Sequence, residues 1–188
     1  NSTSLSASLN QDYILSQAEI VVSVNTEKDN PRYKHRPWYI TPETAMNVND
    51  NGDAWTTDVI ANTYKTFTGA YNFYEHDQRV EASKGRVVDS LLRKVPLGNG
   101  KHYYAVEILV ATNKKHKRLA GRVEQGDIST LSMGCTCTFT QCSQCGHVSY
   151  SPENKCHHLR YNKGGFFTDE YGVKRIVAEL CGHANHPD

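Results

Sequence analysis

Two neighbouring segments in the middle of the chain have the apolar, β-branched and aromatic pattern of strands. They are residues 87–93, VVDSLLR, and residues 103–111, YYAVEILVA. The sequence PLGNG at residues 96–100 lies between them and supplies the glycine and asparagine residues that tight turns prefer. This pattern predicts an antiparallel β-hairpin.

Shorter apolar runs predict further strands, at residues 19–24, 130–140 and 173–180. Residues 114–125 change to a helical period, because Leu119 and Val123 are four residues apart among charged side chains and Gly126 follows them. We expect a short surface helix there. Strands paired into a sheet, with one or two helices, indicate an α+β, mainly β fold.

Composition and charge exclude some classes of protein. The chain has 188 residues, 21 Lys+Arg and 20 Asp+Glu, and its formal net charge of +1 indicates no overall preference for nucleic acid or anionic membranes. No apolar run approaches the roughly 18 residues of a membrane span, and the N-terminal residues lack the pattern of a secretory signal. We expect a soluble, cytosolic chain without a membrane partner.

The polar N-terminal third predicts the domain organisation. Its first residues are rich in serine and asparagine, and residues 25–40 are polar, basic and interrupted by Pro31 and Pro37. Residues 1–60 are therefore expected to form an arm or extension. Residues 61–188 are expected to form the folded domain, since they contain the hairpin, the helix and the later strands.

Cysteine spacing predicts a metal site. Five of the six cysteines lie between Cys135 and Cys156, which is more typical of a metal site than of a disulfide framework. Cys142 and Cys145 form a Cys-x-x-Cys knuckle, and the glycine after it lets the turn close. We predict that Cys156 and His158 complete a structural zinc site that orders the polar segment after the knuckle. Other residues could replace the predicted ligands, namely Cys135, Cys137, His157 and Cys181.

A serine and a histidine are candidates for nucleophilic chemistry. Ser132 lies on the predicted strand 130–140 near Gly134, which leaves room for a carbonyl substrate, and its hydroxyl needs a base to become a nucleophile. The alternative is an ordinary strand serine with a satisfied hydroxyl. Among the nine histidines, His76 follows an aromatic cluster and lies between two carboxylates that can fix its tautomer.

These residues carry a resemblance to a known family. The segments NFYEHDQ, around His76, and TLSMGC, around Ser132, together with the hairpin and helix between them, resemble the prohead, or capsid maturation, proteases of tailed bacteriophages. The resemblance covers about residues 63–181. It implies a fold like the herpesvirus assemblin proteases, a β-barrel with flanking helices, here with a zinc-binding insertion at about residues 135–160.

The resemblance also implies an activity. The chain is expected to be a serine endopeptidase with Ser132 as nucleophile and His76 as general base, and Glu179 is the nearest candidate for the acidic third member. Its expected substrates are scaffold, capsid and portal-associated proteins inside the procapsid, and the chain itself. The implied location is the procapsid or virion, and the host cytoplasm during assembly, with self-association.

Two other functions stay open from the sequence. If the third catalytic residue belongs beyond Asp188, the chain is an inactive or self-trimmed component that stays in the virion. A zinc-ribbon module could instead bind nucleic acid through the basic run at residues 114–118. We interpret that run as the solvated face of a helix, because no aromatic residues interleave with it.

Overall fold

The computed structural model describes residues 11–74, 77 and 79–182, and its fold is mainly β, as predicted. The strands of the described residues are β1 (Tyr13–Val22), β2 (Asp53–Ala54), β3 (Tyr71–Asn72), β4 (Gly85–Gly98), β5 (Lys101–Asn113), β6 (Phe139–Cys142), β7 (Val148–Ser149), β8 (Phe166–Thr168), β9 (Lys174–Ile176) and β10 (Glu179–Gly182). The α-helices are α1 (Thr57–Thr63), α2 (Lys117–Glu124) and α3 (His157–Tyr161). No helix in this part of the chain is both long and apolar enough to span a bilayer.

The long hairpin of β4 and β5 is the centre of the first sheet, whose strand order is β1-β5-β4-β3. The chain reverses through Gly98, Asn99 and Gly100, whose φ angles are 89°, 50° and 74°. Glycine and asparagine are the residues that adopt such left-handed conformations at little cost. The predicted hairpin is therefore confirmed, as is the predicted helix, which is α2 and is followed by Gly126 at φ 80°.

A second sheet has the strand order β2-β10-β6-β7, in which β10 runs parallel to β2 and antiparallel to β6. Strands β8 and β9 form a separate two-stranded sheet. The core beside the second sheet joins residues that are distant in sequence, and its buried members are Val24, Ile40, Ala54, Ala178 and Leu180. Residues from the predicted arm therefore share a core with the C-terminal strands.

The chain divides into two compact units. The first comprises Asn1–Val21, Tyr64–Arg93 and Val106–Met133, and the second comprises Val22–Thr63, Lys94–Ala105 and Gly134–Asp188. The predicted domain boundary at residue 60 does not coincide with a boundary between the two units. The predicted arm is part of a folded unit from residue 22 onward, because its apolar residues are buried against strands that come much later in the chain.

The prediction of a strand at residues 130–140 is wrong. Only Phe139 and Thr140 belong to a strand, β6, and residues 128–137 have no regular secondary structure. Strand propensity is expressed only where a neighbouring strand completes the hydrogen-bond ladder, and no strand in the described chain pairs with this segment. Ser132 and Cys135 are consequently exposed.

Candidate metal centre and predicted catalytic residues

The Cys-x-x-Cys knuckle follows directly from the end of β6. The amide of Cys142 donates to the carbonyl oxygen of His147 at 2.9 Å, and the amide of Gly146 donates to the carbonyl oxygen of Cys142 at 2.9 Å. The amide of Gln144 points at the sulfur of Cys142, with a nitrogen–sulfur distance of 3.4 Å. The turn therefore brings a hydrogen-bond donor to a sulfur, which stabilises the thiolate form that binds metals.

Gly146 is required in this turn for two reasons. Its φ of 75° lies in the left-handed region that other residues rarely adopt. A Cβ at this position would lie 2.4 Å from the nearest ring atoms of Trp38. The sequence signals the first requirement, because glycine commonly closes such turns. It does not signal the contact with Trp38, which comes from a distant segment.

The second pair of ligands lies at the start of α3. Cys156 immediately precedes this helix, and His158 is in its first turn, with its Nδ1 3.9 Å from the sulfur of Cys156. The ligand atoms of Cys142, Cys145, Cys156 and His158 all lie within 4.8 Å of one another. A tetrahedral ion with bonds of about 2.0–2.3 Å needs its donors roughly 3.5–3.8 Å apart, and the four atoms are near that spacing.

The cluster is buried on one side and open on the other. Cys142 is fully buried and forms a small core with Leu159 and Val177, whereas Cys145 is exposed. Burial raises the pKa of the Cys142 thiol to about 12. Burial also opposes ionisation of the Cys156 thiol, but the amide of Leu159 and the neighbouring thiols outweigh it and lower its pKa. A bound cation would offset the cost of ionising the buried Cys142 thiol.

The alternative ligands have other surroundings. Cys135 and Cys137 lie 4.0 Å from each other, sulfur to sulfur, in the irregular segment before β6. The ring of His157 packs against Tyr161, with 4.8 Å between centroids, and the sulfur of Cys181 is 3.8 Å from the carbonyl oxygen of Glu179. Among the described residues, the cluster with metal-ligand spacing consists of the four predicted ligands alone.

Of the predicted catalytic serine and histidine, Ser132 lies within the described part of the chain and His76 does not. Ser132 is exposed, and its hydroxyl makes no hydrogen bond to any residue in the described ranges. His76 lies outside the described residues. The pairing of these two side chains stays a prediction.

Glu179 lies on β10 and is 3% exposed. Its carboxylate accepts hydrogen bonds from the Nζ atoms of Lys155, at 2.8 Å, and Lys163, at 2.6 Å. Burial raises the pKa of Glu179, but the two lysines outweigh it and hold the pKa below its ordinary value. Lys163 also pairs with Asp53 on β2. The carboxylate is therefore part of an ion-pair network that joins β10 to β2, and its role as a third catalytic residue stays a prediction.

Sequence reasoning missed one buried residue that supports the knuckle. The hydroxyl of Ser143 donates to the carbonyl oxygen of Ile176 at 2.9 Å and accepts from the amide of Ala178 at 2.7 Å. A serine inside a Cys-x-x-Cys motif has no distinguishing sequence signal, because its partners are set by the second sheet and its surroundings.

Three sulfurs and one imidazole nitrogen can hold a divalent ion with all four ligand positions filled by the protein. Such a site fixes the geometry of a loop rather than activating a substrate. Comparisons of this chain with protein-family models, with curated proteins and with solved structures found no match.

Proposed function

We propose that Cys142, Cys145, Cys156 and His158 bind one zinc ion with a structural role. The observation that carries this proposal is the convergence of their four ligand atoms within 4.8 Å of one another. Four protein ligands leave no open coordination position for a substrate or an activated water. The bound ion would tie the knuckle between β6 and β7 to the start of α3.

The ligand set favours zinc over other common metals. Calcium and magnesium prefer oxygen ligands, and iron–sulfur clusters are held mainly by four cysteines. Three thiolates with one imidazole are typical of structural zinc sites, in which the ion also supplies folding free energy to segments with little core of their own. The segment between Gly146 and Cys156 fits that description, since most of its side chains are polar.

The metal content of the purified chain tests this proposal. We expect about one zinc ion per chain by elemental analysis after purification under reducing conditions. Replacing zinc with cobalt(II) should produce the visible absorption of a tetrahedral thiolate complex. A disulfide between Cys142 and Cys145 in a chain without metal would contradict the proposal.

We also propose that the chain is a serine endopeptidase of phage capsid maturation, in which Ser132 attacks the scissile carbonyl and His76 accepts its proton. The motifs around these two residues support this proposal, as does the exposed hydroxyl of Ser132, which a peptide can reach. An acyl-enzyme then forms and is hydrolysed by water. The proposed substrates are scaffold, capsid and portal-associated proteins and the chain itself, within a self-associating particle.

Replacing Ser132 with alanine is expected to abolish cleavage of a capsid precursor. Loss of the nucleophile lowers kcat by a factor on the order of 10⁴ or more in serine proteases. His76→Ala should have a similar effect, because the hydroxyl then has no base. Cleavage is followed by gel electrophoresis, and circular dichroism and zinc content should stay at wild-type values. Ser129→Ala, which removes a nearby exposed hydroxyl, is the matched control.

Processing of the precursor by Ser132→Ala at the wild-type rate would exclude the protease proposal. One observation favours a second candidate, a catalytically inactive component of the virion: Glu179 is buried and already engaged by Lys155 and Lys163. Labelling by a serine-reactive fluorophosphonate separates the two. The active enzyme is labelled at Ser132, and the inactive component is not.

A further inference from the structure

A cavity of about 520 Å³ lies in the first unit, between α2 and the residues that flank β3 and β4. Four of its lining residues are cations and one is a histidine: Lys84, Lys117, Arg118, Arg122 and His116. Tyr74 also lines it. From the sequence, we interpret the basic run at residues 114–118 as the solvated face of a helix. Three side chains of that run, those of residues 116–118, line the cavity together with Lys84 and Arg122.

None of the four cations of this cavity forms a salt bridge within the described residues, and the carboxylate of Asp77 acts on Lys84 only at longer range. Arg93, Lys163 and several other cations elsewhere in that part of the chain do form ion pairs. Arg122 contacts an uncharged group instead: its Nη1 donates a hydrogen bond to the hydroxyl of Tyr74, at 3.4 Å. Like charges around one cavity repel each other unless an anion lies between them. The arrangement therefore favours a negatively charged ligand.

His116 adds an unpartnered polar atom. Its Nε2 is buried and has no hydrogen-bond partner among the described residues. Burial, together with Lys84 and Lys115, lowers the pKa of His116. A buried ring nitrogen of this kind normally has a partner, and a ligand in the cavity would supply it.

We propose that this cavity binds a phosphate-bearing anion. Four cations match the two or more negative charges of a phosphate or pyrophosphate group better than the single charge of a carboxylate. The guanidinium groups of Arg118 and Arg122 can bind two phosphate oxygens at once. The volume lies within the range of about 300–1,000 Å³ that is common for small-molecule sites. This site is separate from the zinc and protease proposals and depends on neither.

Calorimetric titration of the whole, zinc-loaded chain with pyrophosphate tests this site, at low ionic strength in a buffer free of phosphate and sulfate. We expect saturable binding of one pyrophosphate per chain and an unchanged zinc content after the titration. Arg118→Gln and Lys84→Gln should each weaken binding about tenfold, since each removes a charge-assisted hydrogen bond. Lys115→Gln is the matched control, because it removes the same charge from an exposed neighbour that does not line the cavity. It should weaken binding less than about threefold.

A parallel titration with ATP identifies the source of the phosphate. Tighter binding of ATP than of pyrophosphate would assign the site to a nucleotide, and equal binding would assign it to the phosphate groups alone; both support the proposal. Absence of saturable pyrophosphate binding would overturn it, and so would an equal loss of affinity in Lys115→Gln and Arg118→Gln. Binding of a glutamate-rich peptide in place of pyrophosphate would also overturn it. Arg118 is exposed, so Arg118→Gln carries the test if Lys84→Gln does not fold.

Discussion

Replacing Cys142 with serine is expected to eliminate the bound zinc and to destabilise the chain by on the order of 5 kcal/mol. Cys142 is the fully buried member of the cysteine–histidine cluster, and it packs in one core with Leu159 and Val177. A serine hydroxyl is a poor zinc ligand, and in this position it would also be a buried polar group beside apolar side chains. The knuckle and the start of α3 would then lose the proposed ion that ties them together.

Zinc content and denaturant unfolding measure the two parts of this result. Cys135→Ser is the matched control, because Cys135 is an exposed cysteine outside the ligand cluster and should keep both its zinc and its stability. Removing zinc from the wild-type chain with a chelator should reproduce the unfolding of Cys142→Ser. A Cys142→Ser chain that keeps one zinc ion and wild-type stability would refute the proposed ligand set.

Replacing Arg175 with methionine is expected to destabilise the chain by about 3–5 kcal/mol at neutral pH. Arg175 is 2% exposed. Its Nη1 donates to Glu27 and its Nε donates to Asp169, at 2.8 and 2.9 Å. Its guanidinium also lies over the rings of Tyr33 and Tyr39, at 4.5 and 5.2 Å from their centroids. Methionine has a similar length but no charge, so two buried carboxylates would lose their common partner.

The pH dependence of this effect tests its cause. Burial raises the pKa of Asp169, but the amide of Val173 and the guanidinium of Arg175 outweigh it, so the pKa lies below its ordinary value of 3.8. A carboxyl whose folded-state pKa is depressed stabilises the fold above its ordinary pKa, and this contribution is lost as the pH falls through the folded value. The difference in unfolding free energy between wild type and Arg175→Met should therefore shrink toward acidic pH.

Urea unfolding between about pH 7 and about pH 2 measures that difference, because the loss is expected below the ordinary pKa of 3.8. Lys28→Met is the matched control, because it also replaces a cation with methionine but breaks an exposed pair with Asp58, which is worth about 0–1 kcal/mol. An Arg175→Met chain within about 1 kcal/mol of wild type at pH 7 would show that the buried network does not hold the N-terminal segment in place.

Local pattern was enough to predict several elements correctly. The β4–β5 hairpin depends on two strand-like runs and a glycine- and asparagine-rich turn that are contiguous in sequence. Helix α2 depends on the spacing of Leu119 and Val123 and on the glycine that follows. The four members of the cysteine–histidine cluster were predicted because a knuckle and the next ligand pair are separated by only a short segment.

Long-range pairing decided the features that the pattern could not. The apolar run at residues 130–140 lacks a neighbouring strand along most of its length, so its propensity produces no strand there and Ser132 is exposed. The basic cavity forms because Lys84 lies next to α2 in the folded chain. The Arg175 network joins Glu27, in the N-terminal part of the chain, to Asp169 and Arg175 in the C-terminal part. Neither contact can be predicted from the spacing of residues that are close in the sequence.

The amino-acid sequence by itself determined the hairpin, the short helix and the members of the cysteine–histidine cluster, because each arises from contacts between residues that are close in the chain. Only the tertiary structure decided that residues 22–63 pack with the C-terminal strands, that Glu179 is an ion-paired carboxylate, and that four cations line one cavity. These features depend on burial and on charges contributed by distant segments, and both exist only once the chain has folded.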